Sequence, residues 1–250
     1  MAEIRIGTSG WTYPEWRGGF YPSTLRRGKE LEHLSARLNS VEVNGTFYGL
    51  RGPHVFRSWR DRTPDDFVLA VKGPKVVTHT LRLRDPGEAL AAFLASGVGE
   101  LGDKLGPLLW QLPPTLAFDR DTVAAFLDLL PPVRHAVEAR HPSFGDDRYF
   151  DLLRERGVAS VVADSAGRFP LFTELTADFA YARLHGPETL YTGDYPPETL
   201  RKWAAAIHTW SADLDVYVYL DNTMSGHAPT NAVELSRLVK GEPDAAPDPG

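Results

Sequence analysis

Ala136-Val137-Glu138-Ala139-Arg140-His141 is the stretch that decides how this chain is read. The run is short, apolar at alternate positions, and stops abruptly at an acid, a base and an imidazole, as a buried strand does where it emerges into a site. Seven other stretches behave in the same way, so strands are predicted at 4–7, 40–44, 67–72, 107–111, 136–139, 159–164, 179–185 and 215–220. Helical patterns lie between them, at 30–38, 53–60, 88–95, 119–130, 146–156, 197–210 and 229–239. Their starts are marked by Asp119 and Asp121, by Pro197-Glu198 and by Pro229, residues suited to a helix N-terminus.

Strands alternating with helices make a parallel sheet with helical crossovers, and eight short units fit a closed (β/α)8 barrel better than an open sheet. The expected class is therefore α/β, a single TIM-type barrel over 1–240. Arg168-Phe169-Pro170-Leu171-Phe172 shows no helical period, so the sixth helix is expected to be short or missing. Residues 241–250 carry Pro243, Pro247 and Pro249 and no aromatic, which predicts a disordered acidic tail.

The net charge of −6 argues against a broad basic face for nucleic acid. Three of the acids, Glu242, Asp244 and Asp248, belong to the tail, and without them the remainder stands at −3. No run approaches the ~18 apolar residues of a membrane helix, and Met1-Ala2-Glu3 passes into Ile4-Arg5-Ile6 without a signal-peptide pattern. A cytoplasmic monomer with no membrane partner is expected. With no cysteine, thiolate metal sites and thiol nucleophiles are excluded.

In such a barrel the site is built at the carboxyl ends of the strands. Those ends are unusually polar here: Glu42 and Asn44, Lys72, Gln111, Glu138 with Arg140 and His141, Asp164, Arg183 with His185, then Asp221 and Asn222. Residues two apart share a face, so Glu42 with Asn44, Glu138 with Arg140, and Arg183 with His185 should point into the mouth. Trp11, Tyr13 and Tyr48 crowd the first two loops as candidate ring-stacking surfaces. Tyr191 and Tyr195, flanking Gly193, look like a lid. Arg183, His185 and Gly186, facing Ser225-Gly226-His227-Ala228, offer a phosphate site after strands seven and eight. The bland alternative is that these charges pair with one another and merely close the barrel top, although buried ion networks are weak stabilisers.

Taken in order, Gly7-Thr8-Ser9-Gly10-Trp11-Thr12-Tyr13, Val41-Glu42-Val43-Asn44-Gly45-Thr46-Phe47-Tyr48, Lys72-Gly73-Pro74 and Gln111-Leu112-Pro113-Pro114 resemble the YecE-like family. So do Val137-Glu138-Ala139-Arg140-His141, Asp164, Arg183-Leu184-His185-Gly186 and Val218-Tyr219-Leu220-Asp221-Asn222, with Asp221 departing from the expected pattern. The resemblance implies a TIM-barrel domain of unknown function and names no reaction.

The function expected from these residues is acid/base chemistry of the hydrolase, lyase or isomerase type on a phosphorylated or acidic small molecule, sugar-like in one version. Glu138, Asp164, His185 and Glu42 are the candidate catalytic groups. Lys72, Arg140, Arg183, Asn44, Gln111, Trp11, Tyr13, Tyr48, His141 and Asn222 are the candidate binding groups. No cofactor is expected. One alternative is a divalent-metal phosphodiester hydrolase or nucleic-acid-binding barrel with Glu42, Glu138, Asp164 and His185 as ligands, against which the crowd of cations argues. The other is a non-catalytic ligand-binding protein.

Overall fold

The computed structural model describes residues 2–242, so the tail expected at 241–250 lies, from 243 on, outside the described residues. The strands are β1 (Ile4–Thr8), β2 (Ser40–Val43), β3 (Val68–Lys72), β4 (Leu105–Gln111), β5 (His135–Glu138), β6 (Ala159–Asp164), β7 (Phe179–Leu184) and β8 (Asp215–Leu220). All eight pair in parallel, in the order β1-β8-β7-β6-β5-β4-β3-β2, so chain neighbours are sheet neighbours and the first strand lies beside the last. This is a nearly closed (β/α)8 barrel.

The crossovers are α1 (Glu30–Ser35), the single turn α2 (Gly45–Tyr48), α3 (Pro53–Asp61), α4 (Gly87–Ala95), α5 (Arg120–Leu127), α6 (Asp147–Glu155), α7 (Pro197–Trp210) and α8 (Ala228–Val239). Asp119 caps α5, accepting from Thr122 N at 2.9 Å, and Asp146 caps α6. The stretch from β6 to β7 carries no helix, as the missing period over 168–172 predicts. Short helical turns at Val76–Thr80 and Val98–Lys104 had no periodic signal, since one or two turns are too short to show one.

The closing seam between β1 and β2 is held by unusual means. Beyond one bridge between Ser9 and Glu42, the Asn39 side chain accepts from Ile6 N at 2.9 Å and donates to Ile4 O at 2.7 Å, standing in for a strand partner. A Cβ on Gly7 would overlap the Ser40 carbonyl oxygen, so only glycine lets the two backbones come this close. Gly7→Ala should therefore cost about 1–3 kcal/mol, the range for overpacking, because a backbone atom cannot swing away as a side chain can. Urea denaturation measures it; an unchanged midpoint would mean the seam opens without penalty.

Alternation sorts the strand residues into two cores. Outward positions such as Val41, Val43, Val71, Val162 and Leu184 pack against the helices. Inward ones fill the barrel: alanines at 70, 136, 159 and 163 face Phe179, Tyr181, Tyr217 and Tyr219. Small residues on β3, β5 and β6 thus make room for rings from β7 and β8. Above these rings the inward positions turn polar.

Candidate active site

The polar layer follows from strand parity. Phe179, Tyr181, Arg183 and His185 lie two apart, as do Tyr217, Tyr219 and Asp221, and Ala136, Glu138 and Arg140, so each series continues the inward face upward. Ser9, Glu42, Lys72, Gln111, Glu138, Arg140, Arg183, His185 and Asp221 are all buried at this level.

Arg183 sits at the centre with no exposed side-chain surface. Its Nε and Nη2 donate to the two oxygens of Glu42 at 3.0 and 2.8 Å. Nη1 donates to Glu138 Oε2 at 2.6 Å, and Nη2 also reaches Ser9 Oγ at 2.9 Å and Asp221 Oδ2 at 3.1 Å. Glu42 additionally accepts from Ser9 Oγ and from Tyr181 OH, the latter at 2.7 Å. Burial raises the arginine's cost of charge, but Glu42, Glu138 and Asp221 outweigh it and hold the guanidinium firmly charged.

His185 is equally buried. Its Nδ1 lies 2.8 Å from Asp221 Oδ2 and its Nε2 3.4 Å from Glu138 Oε1. Burial pushes the imidazole toward neutrality, yet Glu138 and Asp221 together raise its pKa. Burial likewise opposes the charge on Asp221, but Arg183 and His185 win and bring it to about 2. The Glu138 carboxyl is held well below the usual range by Arg140 and Arg183 against the same opposing burial.

The side of the mouth over β3, β4 and β5 is different, because Arg140 keeps one nitrogen unpartnered and Lys72 meets an amide, not a carboxylate. Arg140 donates from Nε to Glu138 Oε1 at 2.6 Å and from Nη1 to Tyr191 OH at 3.4 Å, while its Nη2 is buried without a partner. Its guanidinium lies 4.7 Å from the Phe169 ring centre. Lys72 donates to Gln111 Oε1 at 2.7 Å and rests 4.4 Å from the Phe47 ring centre. Burial, then Arg183, bring the lysine down to about 8. His79 falls to about 4 through burial and the fields of Lys72, Lys75 and Arg140. Tyr191, in the left-handed region at φ 67, sets its ring edge-on to His185 at 5.7 Å and its hydroxyl against Arg140.

Several expectations from the sequence are corrected by this geometry. Arg183 does not dock an anion after strands seven and eight: every nitrogen of its guanidinium is engaged inside the barrel, and Gly186 N is taken by Tyr195 OH at 2.9 Å. Glu42 is unexposed, with its oxygens accepting from Arg183, Tyr181 and Ser9, so it positions Arg183. Asp164 shares the parity of Val162, not of the inward Val161 and Ala163, and turns away from the layer to accept from Tyr195 OH at 3.2 Å and Ala166 N at 3.3 Å. His141 caps its own turn, its Nδ1 accepting from Ser143 N at 3.2 Å. Asn222 ties the loop after β7 to α8 through Gly193 O and Asn231 Oδ1. Tyr195 is 2% exposed and forms part of the wall, not of a lid.

Trp11 and Tyr48 stand apart from the charged layer, while Tyr13 reaches its edge, donating to Ser9 O at 2.7 Å. With Trp59 and Arg51 they line a separate cleft of about 920 Å³ beside the mouth, which Asn44 borders from the barrel side. Asn44 donates to Ser9 Oγ at 2.8 Å and leaves its buried Oδ1 unpartnered. Lys72, Gln111, Glu138, Arg140 and His185 are brought together as expected. Tyr181 joins them unannounced, although parity gave a signal for it two residues from Arg183; Ser9 joins from the end of the first strand, and Tyr191, expected in a lid, meets Arg140 and His185. Asp221, set aside as a departure from the family pattern, proves central.

The layer does not suit a divalent metal. Among the described residues no three His, Asp or Glu groups converge as ligands, and the Arg183 guanidinium occupies the point where Glu42, Glu138 and Asp221 meet.

The family model for proteins of unknown function, DUF72, matches residues 5–249. The chain belongs to the DUF72 family. UPF0759 protein YecE of Escherichia coli strain K12 is 28% identical to this DUF72 chain over 254 residues, covering 90% of the chain and 89% of its own length. A DUF72 family protein from Thermotoga maritima superposes with a TM-score of 0.84 at 28% identity, over 95% of this chain and 99% of that one. Another, from Enterococcus faecalis, gives 0.82 at 19% identity, over 96% and 97% of the two chains. These similarities establish the barrel and the family. Among the described residues no helix is long and apolar enough to cross a membrane.

Proposed function

We propose that this DUF72 protein is an enzyme that carries out acid/base chemistry on a small phosphorylated or carboxylated molecule seated on the β3–β5 side of the barrel mouth. The observation that carries this reading is the buried, unpartnered Nη2 of Arg140, a charged donor left without an acceptor in a layer where every other cationic group has one. A buried unsatisfied donor costs about 1–3 kcal/mol, and an anionic oxygen would recover that cost. Lys72 adds spare N–H bonds beside Gln111.

Charge balance favours the same ligand. In the layer Glu42, Glu138 and Asp221 face Arg140, Arg183, Lys72 and, once protonated, His185, so three carboxylates meet four cations. Proton transfer falls to Lys72 and to the relay running from Asp221 through His185 to Glu138. Binding without catalysis would need no such relay.

The test is thermal unfolding with inorganic phosphate and with phosphorylated sugars, in the wild type and in Arg140→Ala. Ligand at a hundred times its dissociation constant adds about 2.7 kcal/mol, or roughly 5–10 °C in a domain this size. The wild-type shift should vanish in the variant. A shift that survives Arg140→Ala intact would overturn the assignment.

A further inference from the structure

Lys72 is an anomaly that anion binding alone does not explain. It ends β3 with 8% of its surface exposed, and lysines this buried are almost never unpaired. Yet among the described residues no carboxylate pairs with it: its bonded partner is a neutral amide, Gln111, and its other neighbour is the Phe47 ring. The shortage is not for want of acids. Glu42 and Glu138 are taken by Arg183 and Arg140, and Asp221 by Arg183 and His185, all in the same layer. The network thus spends its carboxylates on the arginines and the histidine and leaves the one amine unneutralised.

A desolvated lysine close to other cations is the arrangement that yields a free amine near neutral pH and, with it, a nucleophile. Burial and Arg183 act in that direction here. An arginine can play no such part, because it does not lose its proton. Across β4 from the amine, just past the end of β5, is the Arg140 donor that the function proposed above assigns to an anionic group. An amine and an anion seat on the same side of the mouth fit one type of substrate: a small carbonyl compound that carries a carboxylate or phosphate ester.

We propose that Lys72 forms an imine with the carbonyl group of a small anionic aldehyde or ketone held by Arg140. The ammonium first gives up a proton, and Nζ attacks the carbonyl carbon to make a carbinolamine. The carbonyl oxygen collects two protons, those lost by the nitrogen, and leaves as water. Ammonium and carbonyl therefore become protonated imine and water, with charge and atoms conserved and no redox partner required. The inference rests on the anion seat of the preceding reading.

Reductive trapping tests it. The full chain is incubated at pH 7.5 with pyruvate, or with dihydroxyacetone phosphate, and cyanoborohydride, then analysed by intact mass and peptide mapping. The two probes separate a carboxylate-bearing from a phosphate-bearing substrate. A single adduct on Lys72 is expected, at about ten times or more the occupancy of the exposed lysines, of which Lys29, Lys75, Lys202 and Lys240 serve as internal controls. Lys72→Arg, which keeps the charge, should lose that adduct while retaining the wild-type circular dichroism spectrum, and Lys72→Met should lose it as well. Labelling spread over exposed lysines and unchanged in Lys72→Arg would overturn the inference. If phosphate stabilises the protein through Arg140 but no probe traps Lys72, the imine fails and the anion site stands. If neither occurs, both fail.

Discussion

Arg183→Ala is expected to lower stability by at least about 3–5 kcal/mol, the cost of removing one partner from a buried ion pair. The figure is a floor because Arg183 serves three carboxylates at once, and its loss would leave Glu42 and Asp221 with hydroxyl and imidazole partners only. A protein of this size has about 5–15 kcal/mol in total, so the variant would survive as a weakened fold or accumulate unfolded. Arg183→Lys should recover only part of the loss. An ammonium supplies the charge but not the paired Nε and Nη2 donation to Glu42. Urea denaturation of the three proteins decides the matter, and a loss below 1 kcal/mol in Arg183→Ala would show that water replaces the guanidinium freely.

Glu138→Gln should have the next largest effect, about 2–3 kcal/mol, the worth of hydrogen bonds to charged groups. Each oxygen of Glu138 accepts from a different arginine, Oε1 from Arg140 and Oε2 from Arg183. An amide has one acceptor, so its NH2 must point at one guanidinium or the other. The substitution also removes the strongest influence holding up the His185 pKa. A histidine raised above its ordinary 6.5 binds its proton more tightly folded than unfolded. The stability it contributes is therefore fully present below pH 6.5 and is lost as pH rises through the folded value. In Glu138→Gln that alkaline decline should flatten, and the His185 resonance should titrate at lower pH in an NMR titration. An unmoved titration would mean that Asp221 alone sets the imidazole.

The comparison between these two residues also separates structure from chemistry. Arg183 and Glu42 hold the layer together from inside, both without exposed side-chain surface. Arg140 and Lys72 sit on the β3–β5 side, where Arg140 meets Tyr191 and both cations act on His79. Mutual pairing of the polar strand ends accounts for the partners of Arg183, Glu42 and Asp221, and leaves Arg140 Nη2 and Lys72 without a carboxylate of their own.

Much of this protein was determined by sequence alone. Strands at 159–164 and 215–220 and the helix at 197–210 have their expected limits in the structure, because period and flanking turn residues are local properties. Parity likewise placed Glu42, Glu138, Arg140, Arg183 and His185 inside the mouth without any knowledge of the tertiary structure. Applied one residue further, it would have turned Asp164 outward. What parity cannot supply is which charge finds which partner. Arg183 meets Glu42 across 141 positions of sequence and Glu138 across 45. Those pairings depend on side-chain lengths and on the rings of Tyr181 and Tyr219 beneath, quantities that exist only once eight strands have closed around them. Only the tertiary structure, therefore, distinguished the arginine whose every nitrogen is engaged from the arginine with one unpartnered nitrogen and the lysine without a carboxylate.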